Sequence, residues 1–137
     1  MGRNITLDQA TAIVEACKAE AVAVGQPMNI AVVDDSGRLV AFAAMDDTKL
    51  IGEDIAPQKA VTAVMFQMDT RDLAPLVQPG QPLFGIESTS GGRLAVFGGG
   101  VLLRDAQGKV AGGVGASAGT VEDDHRVAEA GRAAFTP

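Results

Sequence analysis

Between Phe97 and Gly119 the chain reads F-G-G-G-V-L-L-R-D-A-Q-G-K-V-A-G-G-V-G-A-S-A-G, a stretch that holds eight of its 17 glycines. Asp105-Ala106-Gln107-Gly108 is a turn signal between two apolar runs, Val101 to Leu103 and Val110 to Val114, so the centre of the stretch predicts a β-hairpin. Gly98-Gly99-Gly100 precedes the first strand, and Gly112, Gly113, Gly115 and Gly119 punctuate the second. A missing Cβ in a strand marks a place where something approaches the backbone closely, either a packed helix or a ligand.

The segments around this hairpin alternate in kind. Thr6-Leu7-Asp8-Gln9 is a capping box, and apolar residues at Leu7, Ala10, Val14, Cys17, Ala21 and Val24 place a helical stripe between it and the stop at Gly25 and Pro27. Met28 to Val33 and Arg38 to Met45 predict a first hairpin around Asp34-Asp35-Ser36-Gly37, a turn of the same D-x-x-G form. A helix is expected over Ile55 to Met68 with Pro57 in its first turn, where the small residues Ala56, Ala60 and Ala63 allow close packing on a sheet. On this helix Met65 and Met68 are expected to serve as packing. Thr70 is expected to cap a short helix reaching Val77, and a loop follows at Gln78 to Pro82. Arg93 to Phe97 predicts a further strand, which brings the sheet to about five. Thr120 caps a last helix, Val121 to Ala134, whose first turn carries Glu122, Asp123 and Asp124.

A chain of 137 residues is long enough for one domain over 1–137 with a core that needs no disulfide or metal. The formal net charge of −6, with no basic run or stripe, argues against a nucleic-acid partner. No run of about eighteen apolar residues and no basic-then-apolar leader order is present, so no membrane association and a cytoplasmic location are expected. The single cysteine, Cys17, lies in the helical stripe and is expected to be a buried thiol.

In this order, the pieces Lys59-Ala60-Val61-Thr62-Ala63, Gly98-Gly99-Gly100-Val101, Gly112 to Gly119, and Asp124 followed by Ala128-Glu129-Ala130-Gly131 resemble the GlcG/HbpS family. This is the haem-degrading domain family, also found as the C-terminal domain of PduO-type corrinoid adenosyltransferases. The resemblance spans nearly the whole chain. Ala116 and Ala118 depart mildly from it, since the family more often has valine and glycine there. What it implies is an α+β, profilin-like fold, a five-stranded antiparallel sheet with helices packed on its faces, assembled as a homo-oligomer, dimer or larger. It also implies a small-molecule ligand, with haem as the possible cofactor.

The residues themselves suggest where such a ligand would sit. Lys59 is the one positive charge in an otherwise apolar helix segment and Thr62 lies beside it; glycines let a ligand touch main chain, and the strand-to-helix turn at Ser117 to Thr120 offers free N–H groups. The expected pocket therefore lies among Lys59, Thr62, Gly98, Gly99, Gly100, Ser117 and Gly119, with the anionic part of the ligand near Lys59. His125 is the only histidine, and neutral imidazole is a natural ligand for haem iron, although a first-turn histidine among carboxylates is commonly a solvated, paired residue. One His and one Cys give little support to a dedicated metal site. Gly115-Ala116-Ser117-Ala118-Gly119 matches a nucleophile elbow in letters only, since the expected sheet is antiparallel and little chain follows. The two functions weighed are a binding domain for haem or a similar flat, anionic cofactor, and a small catabolic-pathway enzyme acting on an organic acid. In the second, an isomerase, lyase or accessory hydrolase, Lys59 or Asp124 would transfer protons.

Overall fold

The computed structural model describes residues 4–137. Helix α1 spans Leu7–Val24 and opens on the expected capping box: Thr6 accepts from the Gln9 amide while the Gln9 side chain accepts from the Thr6 amide. It stops at Gly25, whose φ of 75° suits glycine. Strands β1 (Asn29–Asp34) and β2 (Leu39–Ala44) form the first hairpin; β3 (Gly100–Arg104) and β4 (Val110–Ser117) form the second. Both turns use the same device. Asp34 Oδ1 accepts from the amides of Ser36 and Arg38, and Asp105 Oδ1 accepts from those of Gln107 and Lys109.

The two hairpins join through β1 and β4, giving an antiparallel sheet of order β2-β1-β4-β3. Among the described residues it has four strands, not the five expected. Arg93 to Phe97 is not a strand because its backbone is held by a side chain instead of a ladder: the Ala95 amide donates to Thr62 Oγ1 at 3.0 Å. Helix α2 runs over Ile51–Phe66, starting a turn earlier than its composition suggests, so Pro57 lies inside it. The residue in its capping position, Leu50, makes no side-chain cap, and so left no signal to read. Thr70 begins α3 (Thr70–Leu73) instead of capping it, with Asp69 in the capping position, and a 3-10 turn continues to Val77. Helix α4 spans Val121–Ala133, capped as expected by Thr120, which accepts from the Asp123 amide.

The alternation of β1 and β4 explains the layering. Ile30 and Val32 pair with Ala116 and Val114 and point into the branched aliphatic core beneath α1 and α4. Ala31 and Val33 pair with Gly115 and Gly113, which turn a nearly bare face toward α2. A Cβ on Gly113 would run into the carbonyl of Ala60, one on Gly115 into that of Ala56, and one on Gly100 into that of Lys59. These three glycines therefore serve a packed helix. The outcome is three layers, α2 on one side of the sheet and α1 with α4 on the other. Among the described residues no helix is long and apolar enough to cross a membrane.

Candidate functional site

Lys59 leaves the inner side of α2 and reaches the first turn of α4, at the end of the sheet. Its Nζ lies 2.7 Å from Asp124 Oδ2 and 3.0 Å from the Ala116 carbonyl, and 5.0 Å from the centre of the Phe97 ring. Asp124 Oδ1 accepts from the Gly119 amide at 2.9 Å. Both side chains are buried. Burial pushes the Lys59 pKa down and the Asp124 carboxyl up, while their mutual attraction opposes both shifts. The pair thus clasps helices from opposite faces of the sheet. Gly99 makes room for it: at φ 127° a side chain would be strained, and its Cβ would stand 2.5 Å from Lys59 Nζ and 2.9 Å from Asp124 Cβ.

The structure brings Lys59, Gly99, Gly119 and Asp124 together in a closed cluster in which the lysine faces an aspartate. Thr62 is committed elsewhere, donating to the Gln58 carbonyl at 2.6 Å and accepting from Ala95. The Gly100 amide donates to Thr70 Oγ1, and Ser117 ends β4 opposite Asn29. Gly98 and His125 of the expected set line an open cavity. That cavity measures about 310 Å³ and is completed by Arg71, Ala74, Val121 and Glu122.

His125 is buried, not solvated. Its Nδ1 has no hydrogen-bond partner, and Nε2 lies 3.4 Å from a Glu129 carboxylate oxygen. Burial, then the charge of Arg71, holds its pKa below the ordinary histidine value, which leaves the imidazole neutral near pH 7 with a lone pair to give. Arg71 was not identified from the sequence, where an arginine on a short polar helix looks like any solvated charge. Among the described residues Arg38, Arg126 and Arg132 each pair with a carboxylate, whereas Arg71 has none assigned to it. The cavity thus joins a free guanidinium, a neutral imidazole and an apolar wall.

Beside it, Asp69, His125 and Glu129 bring donor atoms within 4.8 Å of one another. Arg132 is lodged against both carboxylates, 2.7 Å and 2.9 Å from the two oxygens of Asp69 and hydrogen-bonded to Glu129. The His125 and Glu129 spacing on one helix was visible in the sequence; the approach of Asp69 from α3 was not. Burial raises the Asp69 pKa, but hydrogen bonds from Arg132 and the Leu102 amide outweigh it and hold the carboxyl below the usual range.

A larger cavity of about 810 Å³ lies on the outer side of α2, between the Asp35-Ser36-Gly37 turn and Arg93. Met65 lines it and is exposed, in contrast to the packing role expected. Size alone would favour this cavity, but among the described residues the only imidazole lies at the smaller one, and an iron-bearing or anionic group is recognised by its donors.

The family model described as haem degrading protein HbpS-like matches residues 5–133. An uncharacterised 15.0 kDa protein from the dhaT-dhaS intergenic region of Citrobacter freundii is 39% identical over 128 residues, covering 92% of this chain and 88% of that protein. The corrinoid adenosyltransferase PduO of the same organism is 40% identical over 109 residues, 80% of this chain but only 32% of the transferase. Among solved structures, the PduOC haem complex superimposes with a TM-score of 0.91 at 32% identity, covering 97% of this chain and 99% of that one.

Proposed function

Because this chain belongs to the HbpS-like family, we propose that it is a binding domain for haem or a similar flat, anionic cofactor. The observation that carries the reading is the convergence of Arg71 and His125 on one apolar cavity at Gly98. The haem complex of the similar PduOC domain supports it. The residues present suit one edge of such a group: Arg71 would hold a carboxylate, Gly98 would let the ring lie against main chain, and Ala74 and Val121 would exclude water from it. His125 offers a neutral imidazole held beside that edge. Bound haem would supply iron-centred ligand exchange and electron transfer. The chain's own part is to bind and orient. A homo-oligomer, dimer or larger, and a cytoplasmic location belong to the same reading.

Haemin titration followed by the Soret band tests it. The parent protein should saturate at micromolar haemin, and His125→Ala should weaken binding without abolishing it, since the apolar wall supplies much of the contact. Arg71→Gln should cost about 1.5–3 kcal/mol, the range for a hydrogen bond to a charged group. Identical titrations of parent and His125→Ala would remove His125 from the site.

A further inference from the structure

We infer that the larger cavity outside α2 is a second binding site, for a small organic monocarboxylate with an apolar body, held through Arg93. The inference does not depend on the haem reading. Four observations converge on it. The cavity, at about 810 Å³, falls within the range of roughly 300–1,000 Å³ that ligand pockets occupy. Its α2 wall presents Val61, Val64 and Met65, an apolar surface with a thioether that adapts to varied shapes. Arg93 stands at its edge with no carboxylate assigned to it: its described contact runs from Nη2 to Met65 Sδ at 3.4 Å, and a thioether is a weak acceptor. A planar guanidinium whose one described acceptor is a weak one is suited to a carboxylate taken in bidentate fashion. The cavity's own acid, Asp35, is already engaged, with Oδ2 accepting from Asn4 Nδ2 at 2.8 Å. It therefore leaves Arg93 to the ligand, and its negative charge disfavours a second carboxylate at the opposite side.

Methyl-labelled methionine NMR reads the site directly, because Met65 touches both the apolar wall and Arg93. Benzoate and hexanoate should each shift the Met65 methyl resonance, assigned by Met65→Leu, in a saturable way at millimolar concentration. Benzamide and hexanamide, of similar shape but neutral, should not. Arg93→Gln, at an exposed position, should weaken benzoate binding at least tenfold, and Arg93→Lys by less. A Met65 resonance unmoved by either acid up to its solubility limit overturns the inference. So does benzoate binding that is equally tight in Arg93→Gln, or amides that bind as well as the acids.

Discussion

Lys59 and Asp124 show how a side chain's type can be legible while its direction is not. The lone cation of an apolar helix segment drew attention in the sequence, but its partner lies 65 positions away and only the closed fold brings them together. A lysine that faced a ligand could be replaced by Met with little change in stability. Because Lys59 is buried against Asp124, Lys59→Met should instead destabilise the protein by about 3–5 kcal/mol, since an unpaired carboxylate and the Ala116 carbonyl are left in the core. Urea denaturation measures this, and Lys59→Met/Asp124→Leu should recover part of the loss. An unchanged midpoint for Lys59→Met would mean the pair contributes nothing. His125 sets a pH dependence of definite sign. Its folded pKa is depressed, so as pH falls through the ordinary histidine value the unfolded chain takes up a proton that the folded site resists, and stability declines. Urea midpoints should fall between about pH 7 and the lowered folded value, more steeply in the parent than in His125→Gln. Parallel curves would contradict this.

Elements were legible where their signals are local. The capping box at Thr6, the paired aspartate turns and the Thr120 cap involve residues within four positions of one another, and all appear as expected. What failed had no local signal: the start of α2 carries no side-chain cap, and the Arg93 to Phe97 segment is tethered to Thr62, 33 positions from Ala95. The glycines were legible as close approaches but not as to what approaches. At Gly113 and Gly115 it is α2, so Gly115→Val should force helix and sheet apart and lower the thermal midpoint, overpacking typically costing about 1–3 kcal/mol. Gly99→Val should likewise destabilise, because its Cβ meets the buried lysine and aspartate at a positive φ. A Gly99→Val protein with parental thermal stability would show that the cluster can open and that the glycine guards a cavity after all.

At the scale of the whole molecule, the α+β class and the helical layers could be read from periodicity, whereas the cavities could not, since each is lined from several distant elements. Association is expected too. Leu50 and Ile51 stand side by side at 78% and 58% exposure, an apolar pair of the kind that symmetric assembly covers. Light scattering should return a mass well above 14.0 kDa, and a monomer across micromolar concentrations would contradict assembly. The central claim concerns which cavity takes the cofactor, and paramagnetic broadening of amide resonances by haemin iron tests it most directly. The account predicts selective loss of the Gly98, Ala74 and Val121 signals while Ser36 and Arg93 persist. Broadening centred on Ser36 and Arg93, or no selective broadening at saturating haemin, would contradict it.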